Sequence, residues 1–256
     1  MKILTYNVRY DNPHDGINAW ENRKNAVIAL IKETGAEIFC VQECLKNQKD
    51  DLEQAFPTFG LVGVGRADGW LKGEMVNIFY NTERFKRIFN GDFWLSETPH
   101  VIGSLSWGSA LPRVVSWVKL YDKKTDNSFF VFNTHFDHIS DLARENSALL
   151  LHQKVKELAG EHTAFITGDF NLTPKDATYK LLTNQFMDIK TLSPTSPKQN
   201  TTFNNFGKTG VSGHWIDYIF TNYPQNVTVK AFEIIETKMN QRFPSDHFPI
   251  LVEVDF

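Results

Sequence analysis

An apolar, β-rich run, Thr163-Ala164-Phe165-Ile166-Thr167, stops at Gly168 and is followed by Asp169 and Asn171. Such a run reads as a buried strand, and a strand that stops at a glycine delivers its next side chains to the rim of a sheet. Because strand side chains alternate, Asp169 and Asn171 fall on the same side of the chain. A carboxylate beside a neutral amide suits a site that holds a hard cation or a nucleophilic water while hydrogen-bonding a phosphate oxygen. Gly, Asp and Asn are equally ordinary turn residues. The rest of the chain has to decide between turn and site.

The same arrangement recurs. Lys2–Tyr10 alternates as a strand with Asn7 near its end, and Ala36–Val41 is a strand that runs into Gln42-Glu43. Arg113–Tyr121 and Ser128–His135 read as a hairpin around Asp122–Asn127, with His135 closing the second strand. Trp215–Thr221 carries Asp217, and Ser245-Asp246-His247 stands just before the last strand, Ile250–Phe256. Leu61–Val64, Glu74–Tyr80, Phe85–Trp94 and Val227–Ile235 complete the strands. Helical spacing marks Trp20–Thr34, where Ala26, Val27, Leu30 and Ile31 form a stripe ended by Gly35, and Leu142–Leu158. Shorter helices are expected over Asp50–Phe56 and from about Lys175 to Leu182. Leu95–Pro112, which carries Trp107, is the longest irregular stretch, and loops of that length are more often functional than not. Thr191–Thr202 reads as an exposed loop. No linker or repeat interrupts the pattern, so the expectation is one α/β domain over residues 1–256, two packed sheets with helices outside.

Composition narrows the function. With 27 basic and 30 acidic residues the net charge is −3, which argues against a grip on nucleic acid through a strong overall positive field. Cys40 and Cys44 are the only cysteines, one inside an apolar run and one just after it. They read as core thiols, with no second pair to complete a zinc site. No stretch approaches the length of a membrane span. The chain opens directly on a strand, so a cytoplasmic protein is expected, or an exported one if a signal has been removed.

Asn7, Glu43, His135, Asp169, Asn171, Asp217, Asp246 and His247 thus share strand ends. Carboxylates and amide oxygens suit a hard divalent cation, and histidines suit proton transfer or charge stabilisation at neutral pH. The ordered set N-V at Asn7, V-Q-E at Glu43, N-T-H at His135, G-D-F-N at Asp169–Asn171, I-D-Y-I-F around Asp217 and S-D-H at Asp246–His247 resembles the endonuclease/exonuclease/phosphatase superfamily. The resemblance runs from Tyr6 to Pro249. It implies a four-layer α/β/β/α sandwich of two mostly antiparallel sheets, dependence on Mg²⁺ or Mn²⁺, and hydrolysis of a phosphoester. By the same resemblance Glu43 is the main metal ligand, with Asn7 and Asp246 beside it. Asp169 orients or deprotonates the attacking water, and Asn171 holds a phosphate oxygen. His247, held by Asp217, lies at the scissile phosphate as base or as transition-state donor. Glu74 is expected to hold His135, so that both histidine pKa values are raised. Arg113 and Trp107 are candidates for binding substrate.

His135 in N-T-H resembles the deoxyribonuclease, deadenylase and sphingomyelinase branches. Trp215, however, stands where many nucleolytic members have a basic residue. Phe93–Pro99, F-W-L-S-E-T-P, resembles a bacterial subgroup. The expected activity is a metal-dependent phosphodiester hydrolase, either a nuclease or an enzyme for a smaller diester. The alternative is a phosphatase or sphingomyelinase-like enzyme, and a catalytically silent binding module comes last. The partner implied is the phosphoester substrate, with no obligate protein partner.

Overall fold

In the computed structural model, residues 1–195, 197, 200–208 and 213–256 are described. Positions 196, 198 and 199 of the loop expected over Thr191–Thr202 lie outside the described residues. The elements in order are β1 (Lys2–Asn7), α1 (Trp20–Thr34), β2 (Ile38–Cys44), α2 (Lys46–Ala55), β3 (Phe59–Val62), β4 (Met75–Asn81), β5 (Phe85–Trp94), β6 (Val114–Asp122), β7 (Asn127–His135), α3 (Asp141–Ala159), β8 (Ala164–Asp169), α4 (Ala177–Thr183), β9 (Met187–Asp188), β10 (Asp217–Thr221), β11 (Thr228–Ile234) and β12 (Ile250–Asp255).

They build two six-stranded sheets, ordered β11-β12-β1-β2-β4-β3 and β5-β6-β7-β8-β10-β9. In each sheet the central pair, β1/β2 or β7/β8, is parallel and every other pairing is antiparallel. A parallel pair needs a crossover, and α1 and α3 supply one to each sheet. The strand alternation sorts the core. In β2, Ile38 and Cys40 face the second sheet, while Phe39 and Val41 join Val27, Leu30 and Ile31 of α1 and Leu52 of α2. On the far side Leu151 and Val155 of α3 and Leu182 of α4 pack with the second sheet. The result is the four-layer α/β/β/α sandwich.

A polar bridge crosses the middle of this apolar stack. Asn133 of β7 donates to the carbonyls of Val41 (2.9 Å) and Asn77 (3.0 Å) in the opposite sheet. Gln42 of β2 in turn donates to the Asn133 side-chain oxygen at 2.7 Å and to Thr5 at 3.0 Å. All five residues involved are buried. A hydrogen-bonded amide in such a place fixes how one sheet sits on the other, because sliding would leave buried polar groups unpaired. Cys40 and Cys44 are both buried free thiols. Burial pushes the Cys40 thiol up to about 12, so it is inert.

Candidate active site

Three adjacent strands of the second sheet carry the first group of polar side chains in one row. His135 ends β7, Asp169 ends β8 and Asp217 opens β10, and the register pairs His135 with Asp169 and Asp169 with Asp217. Gly168 makes the close approach possible. A Cβ there would lie 2.3 Å from the carbonyl oxygen of Thr134. Asn171 follows in a left-handed conformation, φ 50°, which asparagine tolerates better than most residues. Its backbone N–H donates to Asp169 Oδ1 at 2.9 Å and its amide to the Phe136 carbonyl at 3.0 Å.

The first sheet delivers the opposing group. Asn7 ends β1, and its amide donates both to Asp169 Oδ2 (2.9 Å) and to Glu43 Oε1 (3.1 Å), so one side chain links the two sheets at the site. Its oxygen accepts the Arg9 N–H at 2.9 Å. Glu43 lies inside β2, where the pairing with β4 breaks register between Val41 and Cys44 and Glu43 adopts φ 61°. The bulge re-aims the carboxylate into the cleft, and the Tyr10 N–H fixes Glu43 Oε2 at 3.0 Å. Ser245 donates to the Asn7 carbonyl at 2.7 Å and so holds Asp246 and His247 against β1.

His247 Nδ1 donates to Asp217 Oδ2 at 2.9 Å, with both residues buried. Its Nε2 lies 3.8 Å from Asp169 Oδ2. Burial alone would lower the His247 pKa. The charge and hydrogen bond of Asp217, followed by the charges of Asp169 and Asp246, override it and raise the value to about 10. Burial and then the charge of Asp217 push Asp169 up to about 7. Burial and Glu43 raise both Glu74 and, against the pull of His247 and of Arg9, Asp246. Several carboxylates therefore crowd one place.

The hydrogen bond expected between Glu74 and His135 is not formed. Glu74 faces the cleft, but its two oxygens are taken by a fork from Arg66 at 2.7 and 2.8 Å. The nearest approach to His135 Nδ1 is 3.7 Å, beyond a hydrogen bond. The His135 pKa is lowered well below its ordinary value, not raised. Burial and the neighbouring cations Arg113 and Arg66 are the cause. A neutral His135 thus stands 3.6 Å from Asp169.

Arg113 does line the cleft, where it is 4 % exposed. Trp107 does not line it. That residue is half-buried with φ 57°, and its carbonyl accepts from Ser140 at 2.8 Å, a part of the loop's own architecture. Arg9, Arg66 and His138, which no motif singles out, also line the cleft. The cleft has a volume of about 990 Å³. Its lining charges are Arg9, Arg66, Arg113, Lys208 and the His247 imidazolium against Asp15, Glu43, Glu74, Asp169, Asp176 and Asp246.

Two donor sets among the described residues have atoms within 4.8 Å of one another, Asp169 with Asp217 and His247, whose imidazole and Asp217 are already paired, and Glu43 with His135 and Asp169. Oxygen dominates the second set. The two thiols are buried, and the Cys44 sulfur is engaged with the Leu45 carbonyl. Hard donors and crowded carboxylates fit a hard divalent ion.

A family model described as Endonuclease/Exonuclease/phosphatase family matches residues 4–247. Among solved structures, a mannosyl-6-phosphatase from Bacteroides thetaiotaomicron is 35% identical, with a TM-score of 0.94 and full coverage of both chains. An endonuclease/exonuclease/phosphatase from Bacteroides vulgatus is also 35% identical, TM-score 0.93, covering 99% of this chain and 98% of the other. An uncharacterized protein, L388, of Acanthamoeba polyphaga mimivirus is 28% identical across 98% of this chain and 99% of its own length. With the fold, the ordered motifs and the family model in agreement, the chain belongs to the endonuclease/exonuclease/phosphatase family, hydrolases that act on phosphoesters.

Proposed function

We propose that this protein is a Mg²⁺- or Mn²⁺-dependent phosphoesterase whose substrate is a small, hydroxyl-bearing phosphoester such as a sugar phosphate. The observation that carries the reading is the charge of the cleft. Four Arg and Lys side chains and the His247 imidazolium, against six carboxylates, line a cleft of about 990 Å³. A nucleic-acid groove needs a basic strip that tracks many phosphates. An acidic rim group such as Asp176, engaged by Thr173 through Oδ2, suits a sugar hydroxyl instead, as an acceptor. The resemblance to a protein described as a mannosyl-6-phosphatase supports the same choice.

In this reading Glu43 is the main metal ligand, with Asp246 beside it, and Asn7 stands behind Glu43 through its amide N–H groups. When bound, the metal neutralises charge on the phosphoryl oxygens. Asp169 holds the attacking water and takes its proton, a role suited to a carboxyl pushed up to about 7. His247, kept as imidazolium by Asp217, donates to the phosphoryl oxygens as charge develops. Asn171 binds a phosphoryl oxygen. His135, neutral, is a hydrogen-bond donor beside Asp169.

The test is turnover with Mg²⁺ or Mn²⁺ on hexose phosphates, a chromogenic phosphodiester, sphingomyelin, and single- and double-stranded oligonucleotides. Hexose phosphates should lead, with little change between low and moderate salt. Oligonucleotide cleavage that falls steeply with salt, with no release from hexose phosphates, would assign a nuclease instead.

A further inference from the structure

Arg113 is a buried cation that the described residues pair only loosely. Its Nε and Nη1 find no hydrogen-bond partner among the described residues. Asp137 is the nearest carboxylate, yet its Oδ1 lies 3.7 Å from Nε, beyond hydrogen-bond reach. The Asp137 oxygens are already used by the backbone N–H groups of Ala110, Ile139 and Ser140. Glu74 is no more available, because the Arg66 fork holds both its oxygens. Only Nη2 is engaged, donating to His138 Nδ1 at 3.0 Å. That bond places the His138 proton on Nε2, so His138 adds a donor of its own. A buried guanidinium with open N–H groups is costly unless something anionic completes it.

Within the shared cleft, the group lies on the far side of His135 from Asp169 and His247. His135 Nε2 faces Asp169 at 3.6 Å, whereas its Nδ1 faces Glu74 at 3.7 Å, on the side of Arg66 and Arg113. A small side cavity borders Arg113, Arg66, Glu74, His135 and Glu43 of the metal site, and does not touch Asp169, Asn171 or His247.

We propose that Arg113 and His138 form a second anion subsite, so that the preferred substrate carries an anionic group in addition to the scissile phosphate. This rests on the small-phosphoester reading above and names its substrate class more narrowly. The second group is a phosphate or a carboxylate, since either presents paired oxygens to a guanidinium. Their geometry and charge fit the same donors, and only substrates can tell them apart.

Three substrates with Mg²⁺ are compared in wild type and Arg113→Met: glucose 6-phosphate, glucose 1,6-bisphosphate and 6-phosphogluconate. Wild type should favour one or both of the doubly anionic substrates by about ten- to a hundredfold in kcat/KM, mostly through KM. R113M should collapse that ratio towards one, with R113K retaining part of it. The bisphosphate and the phosphogluconate arms identify which anion is preferred. No preference in wild type, or equal losses on all three substrates in R113M, overturns the subsite. Sulfate binding to metal-free protein, measured by calorimetry, provides a readout independent of turnover. Sulfate should bind wild type and N171A and fail to bind R113M, whose thermal midpoint reports whether it folds. Loss of sulfate in R113M without activity on any substrate keeps the subsite and removes the phosphoesterase reading. Turnover with sulfate still bound in R113M does the reverse.

Discussion

Substituting Asp217 by Asn keeps the shape at the end of β10 and removes one charge. In the wild type Asp217 Oδ2 accepts from His247 Nδ1 at 2.9 Å, and its Oδ1 has no partner among the described residues. The carboxylate's charge is therefore balanced chiefly by one imidazolium. At that separation an effective dielectric of about 20 gives an attraction of roughly 6 kcal/mol. Desolvation offsets part of it, and breaking such a buried pair costs about 3–5 kcal/mol. Asn can still accept from Nδ1, so D217N should stay folded with a stability loss near the lower end of that range. Catalysis should suffer more. Without the carboxylate His247 loses the partner that keeps it charged, and kcat should fall by about 10²- to 10⁴-fold, the upper figure being the loss for the analogous Asp→Asn change in a serine protease triad. The assay is phosphate release at saturating Mg²⁺ at a single neutral pH, with side-chain nitrogen NMR reporting the charge of His247 and denaturant unfolding reporting stability. Activity within threefold of wild type, with an unchanged His247 signal, would refute the role given to the pair.

Divalent metal should raise the thermal midpoint of wild type but not of E43Q, the stabilisation reaching about 2.7 kcal/mol at a metal concentration a hundred times Kd; an equal shift in E43Q would move the ion elsewhere. Asn133→Ala strips partners from Gln42 and from the Val41 and Asn77 carbonyls, and should cost about 3 kcal/mol in denaturant unfolding, with activity reduced because the sheets shift. Gly168→Ala must push β8 from β7, because its Cβ would meet the Thr134 carbonyl at 2.3 Å; a loss of about 3 kcal/mol or more is expected, and an unperturbed variant would contradict the packing. Asp122 is pulled in opposite directions, burial raising its pKa and the Arg84 fork and Lys124 N–H lowering it, with a net decrease. Its stabilisation is therefore present above the unfolded value of about 3.9 and lost as pH falls through the folded value, so the stability gap between wild type and D122N should close below about pH 4.

The strands were legible because their alternation and terminal polar residues are local signals. β1, β5, β7 and β12 fall where period-2 patterning puts them, within a few residues. Asn7, His135, Asp169 and Asp217 were legible for the same reason, since each ends or opens a strand. What stayed hidden depends on contacts distant in sequence or on backbone conformation. The helix expected from Asp50 begins at Lys46, because the Gln48 side chain accepts the Leu45 N–H and caps it early. Glu74 was read from its place at a strand start, yet the turn between residues 66 and 74 brings Arg66 back to claim it. Once that fork forms, His135 meets two guanidinium groups and no free carboxylate. Its pKa therefore moves opposite to the expectation. The positive φ of Glu43 has no signature in V-Q-E.

The two sheets also explain why the site needs both halves of the chain. The hairpin β11-β12, the crossover β1-α1-β2 and the edge pair β3-β4 build one sheet. The hairpin β5-β6, the crossover β7-α3-β8 and the edge pair β9-β10 build the other in the same order and with the same directions. No sequence repeat accompanies this correspondence, because a buried pleat specifies apolar alternation and volume, not identity. In each sheet the central parallel pair ends in polar residues: Asn7 with Glu43 nearby, and His135 with Asp169. Open α/β sheets place ligands beyond the carboxyl ends of parallel strands for a geometric reason, since crossovers leave that edge unblocked. Here two such edges face one another, and Asn7 spans them by donating to Glu43 of its own sheet and Asp169 of the other. Replacing Asn7 by Asp would set a third carboxylate between those two and remove both donors. Turnover should fall by more than tenfold even where metal still binds, since each lost charge-assisted hydrogen bond is worth about 1.5–3 kcal/mol. Metal affinity measured alongside turnover separates the two effects, and an N7D enzyme of normal kcat would show that the bridge between the sheets is dispensable.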